Sequence, residues 1–175
     1  MEGPGSVWQQ AADCFEATMA SVGDDRWETA SGCGDWTVRE LVDHVIFWQA
    51  NLGQVVGAGT TADDGWDAIK SAVATKLADP SVLEGDIEGG PMNGMPKHMG
   101  MGLATADVLL HSWDLGQAIG VDVKLPAEAV AAVHMGVGQI PEEMLRMPQM
   151  FGPEIAVPDD ASAQDKLLGF TGRQP

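Results

Sequence analysis

Apolar side chains recur at intervals of three and four residues along most of this sequence, and that spacing constrains the fold more than any other feature. Such intervals are typical of amphipathic α-helices, and we find no convincing example of the strict alternation that indicates a half-buried strand. Helices of about 20 residues span roughly 30 Å and pack most simply as an up-and-down bundle. The expected helices cover approximately residues 6–22, 37–57, 63–79, 99–119 and 126–140, with a short terminal helix at 161–170.

The stretch between the third and fourth expected helices, residues 83–102, is rich in glycine and methionine and is predicted to be a long connection. Long connections in compact domains are often functional, so a lid over a site and a plain crossover both remain open. We therefore expect one domain over residues 1–175. Its predicted fold is all-α, an up-and-down four-helix bundle with a long crossover connection and a short C-terminal helix.

The charge balance bears on which partners the chain can bind. Nine Lys and Arg residues stand against 26 Asp and Glu residues, a formal net charge of −17. Phosphate backbones and anionic membrane surfaces would be repelled, so we expect neither nucleic acid nor a membrane as partner. The N-terminus resembles no signal peptide, and Cys14 and Cys33 form no CxxC pair. We expect a cytoplasmic protein with reduced thiols.

The second helix has the clearest start signal in the sequence. Thr37 and Glu40 have the spacing of a capping box, in which each side chain satisfies a backbone N–H group of the other residue. Trp36 and Leu41 flank the cap as a hydrophobic staple would. His44 follows on the apolar face of this helix.

The fourth helix carries a carboxylate and an imidazole on its apolar side. Asp107 and His111 are four residues apart, so they are neighbours one turn apart on one face. Burying these groups is costly unless something satisfies them. A metal ion shared with His44 would do so, and so would a hydrogen-bonded network without metal. Two imidazoles and one carboxylate suit zinc, iron or nickel better than magnesium or calcium.

Two segments also carry a resemblance to a known family, namely residues 34–45 and residues 106–120. They look like an actinobacterial, metal-binding branch of the DinB-like superfamily, related to the N-terminal domain of mycothiol-dependent maleylpyruvate isomerase. The ending, residues 151–173, is similar to the same branch. The resemblance implies a DinB-like bundle that holds a divalent metal, zinc first and nickel or iron next. The ligands that it implies are His44, Asp107 and His111.

The resemblance also implies a class of activity. Related enzymes use low-molecular-weight thiols such as mycothiol, so we expect a metal-dependent thiol transferase or isomerase acting on a small electrophile. The partners would be this substrate and the thiol cosubstrate. A metal-dependent hydrolase and a non-catalytic metal-binding or stress-response module are the alternatives. A homodimer formed through an exposed helix face and a monomer both remain open.

Two features depart from the family pattern. Asp107 stands where the isomerase has Glu and where many superfamily members have His. Residues 30–33 replace the usual Pro-Thr-Pro-Cys, a change that we expect to alter a loop and leave the site intact.

Three further residues near the site have more than one interpretation. Asp114 either orients the ring of His111 or pairs with a neighbouring helix. Arg39 is expected to be an ion-pair residue, with binding of a substrate carboxylate as the alternative. Cys33 lies between two glycines and is expected to be a structural loop thiol, with an accessible thiol as the alternative.

Overall fold

The computed structural model describes residues 3–90, 92–147 and 150–175. Over these residues the chain forms helices joined by turns, and the β structure there amounts to two isolated bridges, Ala30 with Thr37 and Asp86 with Pro96. The predicted all-α class is confirmed. The seven α-helices of this part are α1 (Pro4–Met19), α2 (Val38–Val55), α3 (Trp66–Leu77), α4 (Lys97–Ile119), α5 (Ala127–Val137), α6 (Glu142–Leu145) and α7 (Ala163–Phe170).

Helices α1 to α4 form the bundle. α4 packs against both α1 and α2, and α3 packs against the same two helices. Gln49, a fully buried residue of α2, joins three of these helices: its side chain accepts a hydrogen bond from Trp8 of α1 and donates one to the carbonyl of Ala104 in α4. Such satisfied polar contacts fix one arrangement of a core because any other packing would leave buried donors unpaired.

The start of α2 follows the sequence signal. The N–H of Glu40 donates to Oγ1 of Thr37 at 3.2 Å, and the N–H of Thr37 donates to the Glu40 carboxylate at 2.8 Å. The predicted capping box is therefore confirmed. α1 begins at Pro4, two residues before the expected start, because proline is tolerated in the first turn of a helix.

The long connection is shorter than predicted, since α4 begins at Lys97. A single 3₁₀ turn, Pro80–Leu83, precedes it. Glycine and methionine had suggested an irregular segment up to residue 102. Gly100 instead lies inside α4, where a Cβ atom would come within 2.6 Å of Cδ1 of Ile87. This glycine therefore permits close packing of the connection on the helix.

α4 is the central helix of the molecule. Its buried residues include Leu110, Ser112 and Asp114 as well as the predicted apolar side, so it is enclosed on more than one face. α5 covers another side of α4, and α7 packs on α5. α5 ends at Val137, three residues before the end expected from the sequence, and Pro141 lies at the N-cap of the short helix α6. Among the described helices, none combines the length and the apolar character needed to cross a membrane.

Candidate metal centre

The structure brings the three predicted ligand residues together between α2 and α4. Nε2 of His44 lies 3.0 Å from Oδ1 of Asp107, and Nε2 of His111 lies 3.5 Å from the same oxygen. The three side chains are partly buried, with exposed fractions of 25%, 21% and 12% for His44, Asp107 and His111. Two nitrogens and one oxygen therefore converge on one point at the edge of the bundle core.

The donor set fits a divalent transition metal. Ligand atoms about 2.0–2.1 Å from a tetrahedral zinc ion are separated by roughly 3.3 Å, and the two observed separations lie on either side of that value. The second carboxylate oxygen of Asp107, Oδ2, is buried without a hydrogen-bond partner in the described part of the chain. Buried polar atoms are seldom left unpaired, so this oxygen has capacity for an ion. That the three residues bind a metal stays a prediction.

A second group of potential ligands shares His111. Cys33, His111 and Asp114 also offer ligand atoms that lie within 4.8 Å of one another. Cys33 lies in the turn before α2, where its backbone N–H donates to Oγ of Ser31 at 3.1 Å. The sequence predicts a loop thiol at Cys33, because nothing in its spacing connects it to residues about 80 positions later.

Asp114 decides between the two groups. Its Oδ1 accepts a hydrogen bond from Nε of Arg173 at 2.9 Å, and its Oδ2 accepts one from Nη2 at 2.8 Å. Oδ2 also lies 2.8 Å from Nδ1 of His111. Both oxygens of Asp114 are thus engaged, whereas Asp107 has one oxygen without a partner. The set of His44, Asp107 and His111 is therefore better suited to an ion.

Asp114 contacts His111 as the first interpretation predicts, whereas its ion-pair partner is not the neighbouring helix that the second interpretation predicts. Its carboxylate faces the ring of His111, and it also pairs with a cation, which follows α7 and is not on a neighbouring helix. Metal-binding histidines commonly donate their other ring N–H to a carboxylate, which fixes the orientation of the ring. Oδ2 of Asp114 lies 2.8 Å from Nδ1 of His111 and so faces this nitrogen, although the contact does not have the geometry of a hydrogen bond.

Neighbouring charges shift the pKa values of two buried groups at the site, His111 and Asp114. Burial lowers the pKa of His111, but the charge of Asp107 and the contact with Asp114 outweigh it and raise that pKa to about 10. Burial likewise raises the pKa of Asp114, yet the adjoining His111 ring and the hydrogen bonds from Arg173 bring it down to about 2. The two carboxylates therefore favour the protonated form of His111, and an ion bound at this ring would compete with its proton.

Aromatic rings surround the histidines on their open side. The ring of Trp36 lies 4.7 Å from that of His44 and 6.5 Å from that of His111, and Trp36 is 37% exposed. Trp48 packs at 6.4 Å from His44, and Phe47 of the same helix is half exposed. The sequence predicts Trp36 only as part of a hydrophobic staple and gives no sign that its ring lies beside the two histidines. Partly exposed aromatic rings therefore lie beside the two histidines.

Other candidate residues lie apart from this group. Arg39 forms a 2.7 Å ion pair with Glu28, in agreement with its prediction. Cys14 is half buried, and burial raises the pKa of its thiol. Its partial burial and raised pKa are typical of a packed thiol.

Comparison with known proteins agrees with the resemblance seen in the sequence. Residues 8–94 match the family model described as mycothiol maleylpyruvate isomerase N-terminal domain, a range that includes His44 and ends before α4. Two relatives from Mycobacterium tuberculosis, strains CDC 1551/Oshkosh and H37Rv, are both described as uncharacterized proteins. Each is 29% identical over 181 residues, covering 94% of both chains. No solved structure matches the chain.

Proposed function

The chain belongs to the mycothiol maleylpyruvate isomerase N-terminal domain family, which is DinB-like, and from this premise we propose that it is a metal-dependent enzyme of thiol chemistry. Its ligands are His44, Asp107 and His111, and the ion is zinc, with nickel or iron as alternatives. The observation that carries the proposal is the convergence of two imidazole nitrogens and one carboxylate oxygen beside an unpaired oxygen of Asp107.

His44, Asp107 and His111 would hold the ion, and a bound ion would supply Lewis-acid activation of a low-molecular-weight thiol such as mycothiol. Asp114 would restrain the ring of His111 through their close contact. The rings of Trp36 and Trp48 give an apolar wall against which a small electrophile can lie. The reaction is transfer of the thiol to this electrophile or isomerisation through such an adduct.

A metal-dependent hydrolase is the second candidate, and one observation favours it. The side chains of His44 and Asp107 keep 25% and 21% of their exposure, so water can reach the same position. Hydrolysis of an ester or amide would then proceed without any thiol. A non-catalytic metal-binding or stress-response module would use the same ligands without turnover.

One experiment separates these candidates. The zinc-loaded protein is assayed against a panel of small electrophiles with and without mycothiol, and against activated esters without thiol. The thiol proposal expects turnover that requires both zinc and the thiol and that is lost in His44→Ala. Ester turnover without thiol would favour the hydrolase. Zinc binding without any turnover would favour the module and contradict the enzymatic proposal.

A matched control is available on the same helix as His111. His98 lies in the first turn of α4 and is exposed to solvent. His98→Ala removes an imidazole without touching the proposed ligands, so it should keep full activity. A loss of activity in this variant would show that the assay responds to general damage and not to the site.

A further inference from the structure

Arg173 makes a long-range contact that ties the end of the described chain to the central helix. Its guanidinium donates two hydrogen bonds to Asp114, at 2.9 Å from Nε and 2.8 Å from Nη2. The two side chains are only 17% and 7% exposed. Bidentate, charge-assisted pairs of this kind are stronger and more directional than other hydrogen bonds.

The turn after α7 aims Arg173 inward. The N–H of Arg173 donates to the carbonyl of Leu168, and the N–H of Gly172 donates to that of Gly169, which are the two bonds of a Schellman cap. Gly172 has a φ of 80°, and a Cβ there would come within 2.8 Å of the backbone of Gly152. This position therefore requires glycine, and its geometry fixes where Arg173 points.

The contact continues to the proposed ligand set. Asp114, held by Arg173, lies 2.8 Å from Nδ1 of His111, and the opposite nitrogen of that ring faces Asp107. Arg173 does not reach the ligand set itself. It restrains the carboxylate that restrains the ring, so it acts on His111 through Asp114.

We propose that Arg173 is a positioning residue for the ligand His111, and that metal binding is coupled to docking of the C-terminal segment, residues 163–175. This inference rests on the proposed function, because it requires His111 to be a ligand. By linkage, a docked segment raises metal affinity, and bound metal in turn holds the segment on α4. The segment is then a structural part of the metal centre although it supplies no ligand.

A matched control separates this role from simple anchoring of the segment. Arg146 also holds the C-terminal region, since its Nη1 donates to the carbonyl of Phe170 at 3.0 Å, and its guanidinium lies over the ring of that residue. The contacts of Arg146 do not include Asp114. Arg146→Ala therefore weakens docking without removing the restraint on the carboxylate.

The test measures zinc affinity by competition with a chromophoric chelator, beside the melting temperature of each metal-free variant. Arg173→Ala should bind zinc about 10–100-fold more weakly, the usual effect of removing an outer partner of a ligand. Arg173→Lys keeps the charge but loses the paired geometry, so its zinc affinity should lie between that of wild type and that of Arg173→Ala. Arg146→Ala should melt at a lower temperature and keep zinc affinity within about twofold of wild type.

A reciprocal measurement remains informative if Arg173→Ala fails to fold. Zinc should slow amide hydrogen exchange in residues 163–175 of the wild type, and this protection should be lost in Asp114→Asn. Equal zinc affinity in wild type and Arg173→Lys, together with no zinc-dependent protection of the segment from exchange, would overturn the inference and leave the proposed function standing. A wild type that binds no zinc would overturn the proposed function and the inference with it. An equal loss of affinity in Arg146→Ala would show ordinary anchoring and also overturn the positioning role.

Discussion

Nε2 of His44 on α2 lies 3.0 Å from Oδ1 of Asp107 on α4, although the two residues are 63 positions apart in the chain. The contact joins two helices of the bundle at the point where His111 also approaches. An ion bound by these residues would bridge α2 and α4, so the metal should stabilise the fold as well as serve chemistry.

Zinc should therefore raise the thermal stability of the protein. Free zinc at 100 times its dissociation constant stabilises a folded state by about 2.7 kcal/mol when the unfolded chain does not bind it. Calorimetry should show a higher melting temperature with zinc and a return to the metal-free value with a chelator. His44→Ala should show a much smaller shift. An equal shift in that variant would place the stabilising zinc elsewhere.

Substitutions at Asp107 and Cys33 should separate the two potential ligand groups. Asp107→Asn removes the charge of the carboxylate with the unpaired oxygen, so zinc affinity should fall at least about tenfold. Cys33→Ser should leave affinity nearly unchanged, because both oxygens of its neighbour Asp114 are engaged by Arg173. Equilibrium competition with a chelator measures both. The reverse order of effects would identify Cys33, His111 and Asp114 as the ligands.

The metal-free protein should lose a specific part of its stability in acid through Asp114. The pKa of this carboxyl is about 2 in the folded protein against an ordinary value of 3.8. Because the folded pKa is depressed, the contribution is fully present above about pH 4 and is lost as the pH falls through 2. The shift corresponds to about 2 kcal/mol.

Urea unfolding of metal-free wild type and Asp114→Asn between pH 2 and 6 checks this prediction. The difference in unfolding free energy between the two proteins should shrink as the pH falls through that window. A difference that stays constant with pH would show that Asp114 contributes no ionic stabilisation.

The thiol of Cys14 should react slowly because burial raises its pKa. Each unit of increase lowers the thiolate fraction at neutral pH about tenfold, and the thiolate is the nucleophile. In Cys33→Ser, iodoacetamide should modify Cys14 much more slowly than it modifies free cysteine, and faster as the pH rises. Mass spectrometry over a time course measures the rate. A rate equal to that of free cysteine would contradict the packed-thiol assignment.

Two glycines near the start of α4 should respond oppositely to alanine. Gly100→Ala places a methyl group about 2.6 Å from Cδ1 of Ile87, the movable end of that side chain, so the substitution should cost about 1 kcal/mol, the lower end of the range for overpacking. Gly102→Ala meets nothing within 4 Å, so the better helix propensity of alanine should stabilise the protein by up to about 1 kcal/mol. Urea unfolding measures both. Equal effects would mean that Gly100 is not packed against Ile87.

Local signals in the sequence predicted much of the fold. The capping box of Thr37 and Glu40 is a short-range feature, and the structure has it. The connection predicted over residues 83–102 ends earlier than expected, because Gly100 has the composition of a loop but lies inside α4, where it permits close packing on Ile87. Packing between distant segments decides where such a helix begins, and the periodicity of the sequence alone does not predict that packing.

The sequence likewise predicted only part of the candidate site. His44, Asp107 and His111 were found because each lies at a helical interval on an apolar face, and the structure brings them together. Three further residues lie around the site: Trp36 beside the cap of α2, Cys33 in the turn before it, and Arg173 after α7. Their approach depends on the tertiary fold, and no interval in the sequence reports it.

Elemental analysis of untagged wild type, His44→Ala, His111→Ala and the control His98→Ala measures whether these residues hold a metal. We expect close to one equivalent of a transition metal in wild type and in the control, and its loss in both ligand variants. A wild type that takes up no metal after incubation with zinc, nickel and iron would contradict it. His44, Asp107 and His111 would then form a hydrogen-bonded polar network.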